Sequence, residues 1–255
     1  MRGFPSAPAD LLTTLWMGAY PRIHDRGIPA DRWLSDYVAT YVQRDVRQVL
    51  GVGDLTTFTT FVRLCAGRTG QELNLSSLGA DAGVSHVTAR SWLSVLETSF
   101  LIHRLPPWHS NERKRLVKTP KLHFFDSGLV CFLLGIRTPE ELRFHSARGA
   151  VFESWVVAEA YKAHVHAGLV PRLHHLRETR GVEVDLIVER ASDRLLVGVK
   201  SGATVGAGAT NALRQALTDG VGAAGRLVHG GADHAIRSGI ELRPWSSLDD
   251  SAWLG

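Results

Sequence analysis

The sequence predicts an α+β chain in two parts, a helical winged-helix-turn-helix segment followed by an α/β segment. Three observations carry this. Two helix-patterned stretches, each with a serine before it, are separated by Gly83 and followed by two strand-like runs. From Gly149 onward the pattern becomes helix, three strands, helix, strand, which is an α/β order. The composition, 44% hydrophobic and 21% charged, is that of a folded chain with enough apolar material for real cores.

Residues 1–35 are rich in Pro, Gly and aromatics, with Pro5, Pro8, Pro21 and Pro29 as breakers. They read as a leading segment that packs on something else, with Trp16 and Tyr20 as packing residues. WLSDYVATYVQRDVRQV, residues 33–49, repeats apolar residues at three- and four-residue spacing and predicts an amphipathic helix ended by Gly51 and Gly53. Asp54 can cap the next helix, LTTFTTFVRLCAG, whose Leu55, Phe58, Val62 and Cys65 share a face. Ser76 or Ser77 can cap a short helix closed by a left-handed Gly83. Ser85 caps VTARSWLSVLET, which turns Val87, Trp92, Leu93 and Leu96 inward. FLIHRLPPW and LHFFDSG read as strands with a basic stretch between them, and a helix pair followed by a hairpin is a winged-helix layout. This domain spans residues 36–126, and a connector with short helical pieces spans 127–148. The last domain, 149–255, opens on the strong helix GAVFESWVVAEAYKAHVHAG. LHHLRE, VEVDLIVER and LLVGVKS follow as strands, SGATVGAGAT as a loop, ATNALRQALTD as a helix and GRLVHG as a strand.

The net charge is +4, with a pI near 9.3. This permits nucleic-acid binding without demanding it, because distribution matters more than the sum. The distribution is uneven: between His103 and Lys121 lie Arg104, Arg113, Lys114, Arg115, Lys118 and Lys121 against the single acid Glu112. No window approaches 18 uninterrupted apolar residues, so no membrane span is expected, and the first residues lack the apolar core of a signal peptide. Cys65 and Cys131 match no metal-type spacing and suit a reducing, cytoplasmic setting. His174 and His175 have no Cys/His cluster or H-E-x-x-H beside them and read as strand histidines. No Ser/His/Asp arrangement has a recognisable spacing. LHFFDSG superficially resembles a Walker B strand, but without a phosphate loop Asp126 reads as the cap of the helix that follows it.

LWMGAYP, DYVATYVQRDVRQV, NLSSLGADAGVSHVTARSWLSVLE, KTPKLHFFDSGLVCFLLGI, GAVFESWVVAEAYK and GVEVDLIVER…VGVKSG occur in this order. Together they resemble the C-terminal part of a prokaryotic family of AAA-type ATPases, over roughly Leu15 to Val228. In that family a P-loop ATPase module is followed by a domain of unknown function, viewed as a winged helix plus a segment resembling the PD-(D/E)xK restriction-endonuclease fold. A Walker A loop needs G-x-x-x-x-G-K-[ST], whose backbone amides cradle phosphates. None exists in this chain: Lys200 and Ser201 follow Val199 rather than glycine. There is thus no ATP site in these residues. The expectation is a truncated or split family member, or one whose ATPase partner is a separate polypeptide.

Nucleases of the PD-(D/E)xK fold hold Mg²⁺ with carboxylates from a helix, a strand and the E-x-K glutamate. The metal polarises the phosphate and activates water. The resemblance matches Glu153 to the helix acid, Asp185 to the strand acid and Lys200 to the lysine. The E-x-K glutamate falls on Gly198, so the motif is degenerate. Glu183, two residues before Asp185, lies on the same side of a strand and is the candidate replacement ligand, giving Glu153, Glu183 and Asp185 as a metal set. Mg²⁺ is the ion such a site would take if it were active.

On the second capped helix Ser85, His86, Thr88, Arg90 and Ser91 are polar, as phosphate and base-edge contacts in a major groove require. Arg113, Lys114, Arg115 and Lys118 would add phosphate contacts from the wing, although winged helices also dock proteins and charge runs are often solvated loops. The leading reading is a non-catalytic or weakly catalytic DNA- or protein-binding module of an AAA-type ATPase family member. The alternatives are an active metal-dependent nuclease using Glu153, Asp185, Glu183 and Lys200, and a structural remnant of a truncated gene. DNA and a P-loop ATPase module or other protein are the partners implied; a membrane is not.

Overall fold

A computed structural model describes residues 10–41, 55–109, 119–178 and 181–254. The chain is a mixed α+β protein that divides into two compact units. The first comprises residues up to Arg104 together with Leu122–Ser154. The second comprises Leu105–Lys121 and Trp155 onward.

The first unit is mostly helical. Helix α1 (Leu11–Met17) starts where the Asp10 carboxylate accepts the Thr13 N–H at 2.9 Å. Helix α2 (Pro21–Arg26) has proline at its first position, where no amide hydrogen is needed. Helix α3 (Ala30–Thr40) begins three residues before the periodicity suggested; the remainder of that predicted helix, its glycine stop and the Asp54 cap lie outside the described residues. Helix α4 (Leu55–Gly67) buries Phe58, Phe61, Val62 and Cys65. Phe58 and Phe61 meet Trp92 edge-on, with centroids 5.1 and 5.3 Å away.

After strand β1 (Gln71–Glu72) comes helix α5 (Leu75–Asp81), then α6 (His86–Thr98). Two expectations change here. Asn74, not Ser76 or Ser77, caps α5, accepting the Ser77 N–H at 2.9 Å. Val87 does not turn inward: it is 76% exposed. The reason is phase: Ala89, Trp92, Leu93 and Leu96 already fill the buried stripe, and Val87 lies off it. Ser85 does cap α6, and Gly83 has φ +71°, the left-handed turn between the helices. Strands β2 (Ile102–Leu105) and β3 (Lys121–Phe124) join β1 in a three-stranded sheet of order β1-β3-β2.

Helix α7 (Ser127–Leu133) then packs against α1, α3 and α4, with α8 (Pro139–Phe144) against α1. The described part of the leading segment, from Asp10, and the connector expected from sequence therefore pack within this unit. Asp126 caps α7 by accepting the Leu129 N–H at 2.8 Å, and its other oxygen accepts the Ala19 N–H at 2.7 Å. One carboxylate thus ties the end of α1 to the start of α7. Cys65 and Cys131 are buried free thiols, each pushed up to about 12 by burial.

Helix α9 (Arg148–His166) spans the division between the units, which falls after Ser154. The second unit is built on a six-stranded mixed sheet of order β4-β5-β6-β7-β9-β8. Strands β4 (Leu173–Arg177), β5 (Glu183–Glu189) and β6 (Arg194–Lys200) form an antiparallel meander. Helix α10 (Asn211–Thr218) crosses over to β7 (Ala224–His229), which pairs parallel with β6. Leu213 and Ala216 of α10 pack on Ile187, Leu196 and Leu227. Strands β8 (Ala235–Arg237) and β9 (Ile240–Pro244) close the edge, joined by Ser238 and Gly239 at φ +50° and +78°. Arg226 pairs with Glu241 at 2.7 Å and donates to the Ala252 carbonyl, anchoring the last helix, α11 (Ser251–Leu254). Among the described residues no helix is long and apolar enough to cross a membrane.

Candidate nucleic-acid interface and carboxylate–lysine cluster

The first candidate surface is the N-terminal turn of α6. The Ser85 hydroxyl accepts the Thr88 N–H at 3.1 Å and lies 2.9 Å from the Thr88 hydroxyl. Both side chains therefore hold the turn in shape. The groups left facing solvent are His86, Val87, Arg90 and Ser91. Arg90 makes no ion pair among the described residues. A guanidinium, an imidazole and an apolar contact on one helical turn match the donors and the methyl-reading group that a major groove engages. Arg113, Lys114, Arg115 and Lys118 lie outside the described residues.

The second candidate lies in the second unit, at the ends of β4, β5 and β6. The Glu183 Oε1 lies 3.1 Å from the Lys121 ammonium, and Lys121 is only 2% exposed. Asp185 accepts the Val199 N–H at 2.7 Å, which fixes its carboxylate across the β5–β6 ladder. Burial pushes the Asp185 carboxyl above the ordinary carboxylate range, opposed by the charges of Lys200 and Lys121. Burial also acts to raise Glu183. The Lys121 hydrogen bond and charge, with Arg177 and Lys200, outweigh it and hold this carboxyl below its usual value. Arg177 stands directly across from Glu183 in the β4–β5 register. Arg177 and Lys200 are both exposed.

Gly198 is the other decisive position. A Cβ added there would sit 3.3 Å from Leu213 Cδ1 and 3.4 Å from Leu227 Cδ1. Leucines from α10 and β7 fill the space into which a glutamate at this position would grow. Asp185, Glu183 and Lys200 lie on neighbouring strands of the second unit, without the E-x-K carboxylate, and Glu153 is not among that unit's residues.

Glu153 belongs to the first unit, where its Oε1 lies 3.9 Å from His123 Nε2. The opposite ring nitrogen, Nδ1, is 3.0 Å from the Ser154 hydroxyl, itself 2.7 Å from the Thr69 hydroxyl. Thr69, His123 and Ser154 are each 1% exposed, so this network organises the interior rather than meeting a substrate. Among the described residues no group of three or more His, Cys, Asp or Glu side chains is arranged to hold a metal ion.

Two participants escaped the sequence reading. Lys121 was counted only within a basic run, and His123 not at all. The burial of Lys121 had no signal in the sequence, because a lysine at the start of a strand ordinarily keeps its ammonium in water.

His175, on β4 in the second unit, is 1% exposed and sits near Lys121. Burial, reinforced by the Lys121 charge, lowers its pKa from 6.5 to about 4. Its neutral form is therefore the folded one. Its contribution to stability is complete above pH 6.5, decays as pH falls through 6.5 toward 4, and is gone below that. At its fullest this loss is on the order of 3 kcal/mol. Half-buried His103, also lowered to about 4 by desolvation, adds a loss of the same sign in the first unit. Urea midpoints at several pH values test this. His175→Leu should flatten the profile in that window, and an unchanged profile would rule the assignment out.

The family model described as Domain of unknown function (DUF8612) matches residues 8–140, just over half of the chain. The chain belongs to this family. A second model, Domain of unknown function (DUF4143), matches residues 148–248, opening at the first residue of α9. Domains of that second kind are commonly found at the C-terminus of AAA-type ATPases. The DUF8612 chain is also similar to the uncharacterized proteins Rv2008c of Mycobacterium tuberculosis and Mb2031c of Mycobacterium bovis. Each is 31% identical over 159 residues, covering 62% of this chain and 35% of the relative. The alignment thus spans about a third of these curated relatives. No solved structure matches the chain.

Proposed function

We propose that this chain is a DNA-docking module of an AAA-type ATPase family protein, and that it grips DNA without cleaving it. The observation that carries the reading is the exposed turn of His86, Val87, Arg90 and Ser91 at the head of a capped second helix. The order α4-β1-α5-α6-β2-β3, with sheet order β1-β3-β2, supports a winged helix, the scaffold that presents such a helix to a major groove. The order α9-β4-β5-β6-α10-β7, a meander followed by a parallel crossover, supports a PD-(D/E)xK-like second half. With no phosphate loop in the chain, the ATPase function belongs to a separate module or partner.

The residues present do not fit the Mg²⁺ that a nuclease of this fold would hold. Glu183 is engaged by Lys121, Asp185 by the Val199 amide, and leucines stand against Gly198. No cleavage step is assigned.

The test is fluorescence anisotropy of a labelled duplex with the whole chain at two salt concentrations. Affinity is expected to fall as salt rises, by about 0.9 log unit per log of salt for each phosphate neutralised. The variant His86→Ala/Arg90→Ala should weaken binding roughly tenfold, the scale of a lost base-edge contact. Absence of binding at low salt, or binding indifferent to salt, would refute the proposal. Magnesium-dependent nicking of plasmid that Asp185→Ala abolishes would reinstate the nuclease reading.

A further inference from the structure

The misfit with a metal has a charge consequence. A metal-dependent phosphodiesterase site is carboxylate-rich, so that it attracts a divalent cation. This cluster is the reverse. Its two carboxylates, Glu183 and Asp185, face three cations: Lys121, Lys200 and Arg177. The balance is +1 with every group ionised, and more positive whenever Asp185 takes up a proton.

The three cations are not equivalent. Lys121 is sequestered, with its ammonium 3.1 Å from Glu183. It therefore neutralises carboxylate charge from within. Arg177 and Lys200 are exposed at the ends of β4 and β6, and neither has a salt bridge among the described residues. Arg177 offers a planar fork of donors suited to two phosphate oxygens, and Lys200 a compact point charge. An anion approaching the strand ends meets two exposed cations, while Lys121 lies against the Glu183 carboxylate.

We propose that this cluster is a phosphate-binding site, in which Lys121 does the charge-neutralising work of a metal while Arg177 and Lys200 hold a phosphodiester of duplex DNA without cleaving it. The assignment rests on the DNA-docking reading. It adds to it a second contact surface, in the second unit, and a reason why retained carboxylates do not repel the backbone.

The experiment uses the whole chain and three probes: a labelled DNA duplex, inorganic pyrophosphate, and Mn²⁺ followed by electron paramagnetic resonance. Arg177→Ala/Lys200→Ala changes only exposed side chains, so its fold is checked simply by circular dichroism. It should weaken duplex binding about fivefold or more at low salt and reduce the salt slope by about 1 to 2. Wild-type chain should leave Mn²⁺ free. Lys121→Met uncovers the carboxylates and should lose duplex affinity and gain Mn²⁺ binding. If Lys121→Met does not fold, the Arg177/Lys200 pair still decides. Unchanged affinity and slope in that pair, with His86→Ala/Arg90→Ala still impaired, would overturn the phosphate site and leave DNA docking standing. A chain that binds no DNA, yet binds pyrophosphate in a way the Arg177/Lys200 pair abolishes, would retain the site and sink the docking reading. Mn²⁺ bound by wild-type chain and released by Asp185→Asn would overturn the proposal outright.

Discussion

Gly18→Ala is expected to destabilise the first unit by about 4 kcal/mol. Gly18 lies at φ +71°, ψ −167°, a conformation essentially reserved for glycine, and strain there costs about 1 to 3 kcal/mol for any other residue. A Cβ would also run into the Asp126 carboxylate, with Oδ2 at 2.7 Å and Cγ at 2.8 Å. That carboxylate cannot yield freely, because it accepts both the Ala19 and the Leu129 N–H groups. Moving it breaks the cap of α7 and the tie to α1 together, and a lost cap alone costs about 1 kcal/mol. Gly27→Ala is the control. Gly27 has φ +60° but open space around its Cα, so only the backbone cost of about 1 kcal/mol remains. Urea denaturation of both variants measures the difference. Equal losses would show that the Asp126 contact contributes nothing.

What was legible in the sequence follows from which forces act locally. Helices α4, α6 and α9 could be read because their apolar spacing is contained in the segments themselves; Ser85 of α6 and Asp126 of α7 are caps in the structure as in the sequence. The three meander strands were legible for the same reason. Val87 was misplaced because two stripes of apolar residues were compatible with the spacing, and only packing against α4 selects one. The β8–β9 hairpin was missed although a Ser-Gly pair marks its turn, because strands of three and five residues carry too little alternation to announce themselves. The candidate cluster divides in the same way. Asp185 and Lys200 were reached only through the family resemblance and Glu183 through strand alternation, whereas Lys121, more than sixty residues earlier, joins Glu183 only through tertiary structure.

Gly198→Glu rebuilds the E-x-K pattern on paper, and it is expected to destabilise the second unit by about 4 kcal/mol without producing a nuclease. The new side chain must leave the backbone toward Leu213 and Leu227, at contact distances of 3.3 and 3.4 Å already at Cβ. Both leucines are buried, at 2% and 0% exposure, and hold α10 against the sheet. Overpacking of this kind costs about 1 to 3 kcal/mol. A third carboxylate beside Glu183 and Asp185, where burial already disfavours the ionisation of Asp185, adds about 2 kcal/mol more. Gly198→Glu/Leu213→Ala separates the two costs. Truncating Leu213 makes room, so it should recover the steric part relative to the single variant while the electrostatic part persists. Chemical denaturation at pH 7 and a plasmid-nicking assay with Mg²⁺ read both outcomes. Cleavage by the single variant at wild-type stability would mean that the leucines are not what stands in the carboxylate's place. The expected result instead makes the loss of the motif a property of the packing: once α10 has closed over Gly198, restoring one residue does not restore the site.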